Sequence, residues 1–269
     1  MSFTSFSLTT IFIASLATLL IACELGHRYG LRFKQTDQIS TLEASMLGLL
    51  ALMISFTFSM SLSRYDARGI GVLAEASAID TAGRRALLLP RDHAIIAINL
   101  LRSFARSQLD LTTSPQTDDL IASARKRMAG IENALWTDAR RVVEADNTSF
   151  VSELYVQSLN TMFNEHQKHV TALQARVPDI VLLGLYAIAV VSLGFTGYVS
   201  GNNPRFWRLP IYITAILVAS VILLIQDIDR PGAGLPSTGF VSISQQPMLE
   251  TTEALDHCLA EAEASNAQP

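Results

Sequence analysis

Met46-Leu47-Gly48-Leu49-Leu50-Ala51-Leu52-Met53-Ile54-Ser55-Phe56-Thr57-Phe58-Ser59-Met60-Ser61-Leu62 carries no charge and passes directly into Ser63-Arg64-Tyr65-Asp66-Ala67-Arg68. The uncharged run lies at the lower end of the roughly 17–25 residues with which a helix crosses a bilayer. Beyond it a polar helical pattern continues to Leu89, so the stretch reads as one helix leaving a membrane. Ser55, Ser59 and Ser63 recur at helical spacing along it and place hydroxyls on one face.

Composition agrees with a mixed chain. Of 269 residues, 49% are hydrophobic and 16% charged, and the mean hydropathy is +0.32. That is too apolar for an ordinary soluble domain and too charged in the middle to lie wholly in a membrane. A net charge of -4 with no basic stripe excludes nucleic acid as a partner, because neutralising phosphates takes clustered Lys and Arg. Cys23 and Cys258 are too few and too far apart for a disulfide or zinc framework.

Working outward, residues 4–22 are apolar enough to span and are closed by Glu24 and His27-Arg28 at the polar boundary. Leu20-Ile21-Ala22-Cys23 resembles a lipoprotein cleavage box, but no Lys or Arg precedes it, so the segment reads as a retained helix. Residues 24–43, with Gly26 and Gly30 as turn residues, read as a short polar hairpin loop. No window of residues 64–176 is apolar enough to cross a membrane. Pro90 with Asp92, Ser114-Pro115 and Asn147-Thr148 punctuate that region into four helices. Leu159, Phe163, His166, Val170, Leu173 and Val177 form one apolar seam, and Ile121, Ala124, Met128, Ile131 and Leu135 a second, predicting an antiparallel helical hairpin. Val72, Ala76, Ile79, Gly83 and Ala86 give the 64–89 helix a small, apolar face to pack alongside it.

Residues 177–199 form the third span, opened by Pro178 and read as continuous with the preceding helix, with Gly184, Gly194 and Gly197 permitting close helix contact. A turn at Ser200-Gly201-Asn202-Asn203-Pro204 follows, then Arg205, Trp207 and Arg208 at the interface, then a fourth span over 210–225. The chain is therefore predicted to be all-α, with four transmembrane helices and a helical extramembrane domain inserted between the second and third. Its parts are a first transmembrane hairpin over 1–62, the extramembrane domain over 63–176, a second hairpin over 177–230 and a C-terminal tail over 231–269, which is a Gly- and Pro-rich link, then residues 240–249, then an acidic tail. Such a chain resides in the lipid bilayer.

Several stretches carry a family resemblance: Glu24-Leu25-Gly26-His27-Arg28-Tyr29-Gly30, Phe56-Thr57-Phe58-Ser59, Ser63-Arg64-Tyr65-Asp66-Ala67-Arg68, Glu75-Ala76, Leu88-Leu89-Pro90, Asp227-Ile228-Asp229-Arg230-Pro231 and Ser242-Ile243-Ser244-Gln245-Gln246-Pro247. In this order they resemble the bestrophin-like family of bacterial membrane proteins, a family without an assigned activity. More distantly they resemble the bestrophin ion channels, pentamers with four membrane helices per subunit. In those channels a Gly-Phe pair precedes an Arg-aromatic pair in the second span. Phe56 and Arg64-Tyr65 match that spacing, with Ser55 in place of the glycine. The acidic calcium clasp of animal bestrophins has no counterpart, since only Asp227 and Asp229 follow the fourth span. The resemblance implies a multi-pass protein of the bacterial inner membrane, a homo-oligomer and inorganic ions as cargo.

The residues support no catalysis: there is no phosphate-binding glycine loop and no nucleophile elbow, so no enzyme activity and no cofactor are expected. His166 and His169 stand at a helical metal spacing beside Glu165, yet they lie in or beside the apolar seam and read as packing residues rather than metal ligands. Apart from Asp179 at a boundary, no span holds an ionisable carboxylate or base, which argues against a proton-coupled transporter. Two readings stand: a multimeric ion channel, or a non-conducting membrane scaffold or sensor whose helical domain binds a partner. For a channel, Leu52, Phe56, Ser59 and Ser63 on one face of the second span are the pore-lining candidates. At the membrane exit Arg64, Asp66, Arg68, Asp227, Asp229 and Arg230 form a candidate charge cluster.

Cations near the membrane ends are evenly divided between the two sides, and the positive-inside bias acts through short loops. The short loops are therefore read as cytoplasmic and the middle domain as facing outward, whereas the resemblance to channel bestrophins implies a cytosolic middle domain. With Cys23 and Cys258 replaced, a single Ser123→Cys is expected to react with an impermeant thiol reagent in intact spheroplasts. Labelling only after lysis would reverse the orientation.

Overall fold

The computed structural model describes residues 7–33, 38–113, 118–146, 148–202, 208–230 and 242–264. They form eight helices: α1 (Leu8–Arg32), α2 (Gln38–Ala86), α3 (Arg91–Thr113), α4 (Asp118–Ala145), α5 (Phe150–Gln174), α6 (Asp179–Asn202), α7 (Leu209–Asp229) and α8 (Gln246–Ala264). Four helical stretches, within α1, α2, α6 and α7, are long and apolar enough to cross a membrane. In hydrocarbon only such a helix satisfies all its backbone groups internally.

Local chemistry explains four of the helix starts. The Ser7 hydroxyl accepts from the Thr10 amide at 3.2 Å and starts α1, and Ser149 does the same for Ser152 at the start of α5. Pro90 precedes α3, whose first turn holds Asp92, and Pro178 precedes α6, whose first turn holds Asp179. The proposed cap at Ser114-Pro115, the Asn147 break, and Arg205 with Trp207 lie outside the described residues.

Two compact units divide the chain, one holding residues 1–65 and 176–231, the other 66–175 and 242–269. In the first unit α1 packs along α6, and α7 packs on both. Its core is formed by Leu19, Leu50, Leu185, Leu193, Ile222 and their neighbours. Contact between α1 and α6 is made backbone to backbone through glycine. A Cβ on Gly26 would stand 2.0 Å from the Gly194 carbonyl oxygen, on Gly197 2.2 Å from that of Cys23, and on Gly201 2.3 Å from that of His27. Gly26 and Gly30 are therefore not turn residues as the sequence suggested, and the 24–43 stretch is not mainly loop: α1 runs on to Arg32. Likewise α6 runs through Ser200 and Gly201 to Asn202. Gly184 does not take part, since a Cβ there meets nothing nearer than Met53 Cε at 4.0 Å.

The second unit is made of the remainder of α2 with α3, α4, α5 and α8 around a core of Ala76, Ile79, Ile98, Leu101, Phe104, Leu135, Leu159, Met162 and Leu255. The seam of α5 differs from the predicted one. Tyr155, Leu159, Met162 and His169 are buried, while Phe163 and Val170 are only half-buried. α5 also stops at Gln174, and four non-helical residues separate it from α6, so the two are not one continuous helix. Where an acidic tail was expected, α8 buries Met248, Thr251, Leu255, Cys258 and Ala262 and packs on α3. Arg91 closes its far end by donating to the Ala262 and Glu263 carbonyls at 3.2 Å each.

The glycine contact yields a paired expectation for thermal unfolding in detergent. Gly197→Ala forces a methyl against the Cys23 backbone and is expected to cost about 1–3 kcal/mol, the range for overpacking. Gly184→Ala has room for its methyl and is expected to be neutral or to stabilise by up to about 1 kcal/mol through helix propensity.

Candidate functional site

Leu52 and Phe56 on α2 are 65% and 61% exposed, and Ser59 and Ser63 are exposed beside them. The chain itself leaves this face uncovered. On the opposite side Thr57 and Ser61 are fully buried. There Ser61 donates to the Ile225 carbonyl at 2.9 Å and Thr57 to the Met53 carbonyl at 2.7 Å.

Hydroxyls on the other helices of this unit are bonded within the chain. Thr18, Thr196, Thr214 and Ser220 each return a bond to a carbonyl four residues back. Ser15 meets Tyr186 Oη at 2.7 Å and Ser192 donates to the Met46 carbonyl at 3.1 Å. Among the described residues, Ser55, Ser59 and Ser63 make no such bond within the chain.

The charged residues at the exit of the span differ in burial. Arg68 is 1% exposed and donates to the Ala175 carbonyl at 2.9 Å and the Ala172 carbonyl at 3.4 Å. It thereby caps the last turn of α5, where the helix dipole favours a cation. Asp229, 4% exposed, accepts from the Val177 amide at 2.9 Å just ahead of α6. Asp227 is buried, Asp66 is exposed, and Arg64 and Arg230 are half-buried.

A polar cluster inside the second unit was not foreseen. Glu75 of α2, with none of its side chain exposed, takes His166 Nδ1 on Oε1 at 2.7 Å and His169 Nδ1 on Oε2 at 2.5 Å. Gln108 of α3 donates to the same Oε1 at 2.6 Å. Phe104 sets its ring edge-on to His166, centroids 5.1 Å apart, and Glu132 of α4 stands 3.9 Å from His166 Nε2. Gly71, one turn before Glu75, lets α2 approach: a Cβ there would be 3.0 Å from His169 Cδ2.

Burial raises the carboxyl pKa of Glu75, but the hydrogen bonds and charges of His166 and His169 outweigh it and hold the group at about 2. The distances are those of hydrogen bonds. Two ligands of one tetrahedral ion with bonds of about 2.0–2.1 Å stand about 3.3 Å apart. Glu165, the carboxylate adjacent in sequence, bonds Lys168 instead. An open groove of about 640 Å³ between α3 and α4, lined by Ile95, Asn99, Asn133, Thr137 and Arg141 among others, shares no residue with this cluster. The legible signal for the cluster was a lone carboxylate, Glu75, on the otherwise small and apolar face of Val72, Ala76 and Ile79.

A family model described as Bestrophin-like domain matches residues 11–248. Solved structures of a bacterial bestrophin homolog from Klebsiella pneumoniae have a similar fold. One, phased by zinc anomalous scattering, is 12% identical with a TM-score of 0.66, covering 94% of this chain and 98% of that one. A variant of that homolog with a tryptophan-to-alanine mutation is 13% identical with a TM-score of 0.67, covering 96% and 98%. At such identities the likeness is one of fold. No curated protein matches the chain.

Replacing Arg68 tests the capping role. Arg68→Met keeps the packing volume but leaves the Ala172 and Ala175 carbonyls without this donor, and a fully buried group so orphaned costs about 1–3 kcal/mol, an upper range for these part-buried ones. A clear loss of thermal stability is expected, with Arg68→Lys intermediate because an ammonium lacks the guanidinium fork.

Proposed function

The chain belongs to the Bestrophin-like family, and from that premise we propose that it is an ion channel of the bacterial inner membrane built from several copies of itself. Five copies would follow the bestrophins that the sequence resembles. In each copy α2 turns Leu52, Phe56, Ser59 and Ser63 toward a shared path. The observation that carries this reading is the uncovered stripe of α2, where apolar side chains alternate with serines that lack partners within the chain. Facing a water-filled path, those hydroxyls are hydrated at no cost, while Leu52 and Phe56 narrow it and set a barrier to wetting. Inorganic ions are the cargo, and the 63–176 region is an extramembrane domain carried by α2.

Phe56→Ala separates a pore role from a packing role, because its side chain is mostly uncovered in the single chain. In planar bilayers at matched protein amount, the variant is expected to assemble like wild type and to pass a larger unitary current with weaker ion discrimination. If folded, oligomeric wild type and variant both pass no current, the channel reading fails and a non-conducting scaffold takes its place.

A further inference from the structure

We propose that one exposed stripe of α1 is a binding site for an acidic phospholipid, with its phosphate held by Arg28 and Arg32 and an acyl chain lying along Leu25 and Ile21. Ile21, Leu25, Arg28 and Arg32 follow one another at spacings of four, three and four, so they share one side of the helix. All four are exposed in the chain. Along that side the surface turns from apolar to basic where the span reaches its polar boundary, which is the order in which a phospholipid presents its tails and its phosphate.

The two arginines suit a phosphate. Arg28 is held by one bond, from Nε to Glu24 Oε1 at 3.1 Å, and Glu24 is itself fixed from α7 by the Tyr212 hydroxyl at 3.2 Å. Both terminal nitrogens of the Arg28 fork are thereby left without a partner among the described residues, on a side chain 71% exposed. Arg32, one turn on, makes neither a hydrogen bond nor an ion pair with any described residue. Like charges four residues apart on a helix stand about 5–6 Å apart at Cβ and repel. An anion between them turns that repulsion into attraction, and each guanidinium can meet a phosphate through two N–H groups at once. Arg208, exposed at the start of α7 one turn before Tyr212, adds a third cation.

Aromatic rings mark the depth. Tyr29 and Phe33 are exposed on the adjoining side of α1 with ring centroids 4.7 Å apart. Tyr198 of α6 stands 6.4 Å from Tyr29 and donates its hydroxyl to the Phe33 carbonyl at 2.9 Å. Such rings sit at the level of the headgroups, which places Arg28 and Arg32 beside the phosphates. A zwitterionic headgroup carries an ammonium that these cations repel, so the site favours a lipid with net negative charge.

The test is the thermal midpoint of the full chain in detergent micelles with added lipid. Phosphatidylglycerol is expected to raise the midpoint by several degrees more than phosphatidylcholine does, and Arg28→Gln with Arg32→Gln is expected to remove most of that difference. Arg32→Gln alone, at an exposed position without partners among the described residues, is expected to fold normally and remove part of it, and it decides the matter if the double variant fails to fold. Arg127→Gln, an equal charge change at an exposed position of α4, is expected to keep the full difference. Equal rises with the two lipids, an undiminished difference in Arg32→Gln, an equal loss in Arg127→Gln, or the same rise with free glycerol 3-phosphate overturns the site. A smaller assembly on gel filtration in Arg32→Gln, at unchanged lipid response, assigns the stripe to a second copy of the chain and also overturns it.

Discussion

Within a bilayer the hydrophobic effect does not drive helices together, because lipid tails are as apolar as leucine. What holds the first unit is the absence of side chains along one line of contact. Gly26 and Gly30 of α1 and Gly197 and Gly201 of α6 bring two backbones within the distance that any Cβ would forbid. Dispersion between closely apposed main chains replaces the missing hydrophobic drive. Around that contact Cys23 and His27 become buried, and the Ser15, Tyr186 and Gln226 side chains join in one hydrogen-bonded chain.

The second unit uses a different device. Its core is rich in alanine and leucine at ordinary helical spacing, but the fastening between α2 and α5 is polar, built on a carboxylate that no solvent reaches. Such groups contribute little net stability when paired and cost much when broken. What they supply is register: Glu75 accepts two imidazoles only if α5 presents His166 and His169 together.

This contrast explains what was legible in the sequence. Periodicity and hydropathy are local properties, and they placed the α2 span, the helices between residues 64 and 176, and the proline-led starts of α3 and α6. Turn propensity misled at Gly26 and Gly30, where glycine serves close packing instead of chain reversal. The Glu75 cluster joins residues 91 and 94 positions apart, and no local pattern reports a pairing at that range. Arg68 and Asp229 were singled out as charges, and each also bonds a main-chain group, which has no signature in side-chain sequence. The final helix was missed because an acidic composition hid the buried stripe of Met248, Leu255 and Cys258.

That last helix has a consequence for the order in which the molecule is made. Thr251 of α8 donates to the carbonyl of Ala76, 175 residues earlier, and Leu255 fills the space over Gly83, where even a methyl group would collide. While the ribosome is still adding residues, the core around Ala76, Ile79 and Ile98 lacks one wall. All four apolar helices will have left the ribosome before that wall arrives. Membrane insertion therefore precedes closure of the second unit, and its nascent helices wait with an apolar groove open until the α8 segment emerges.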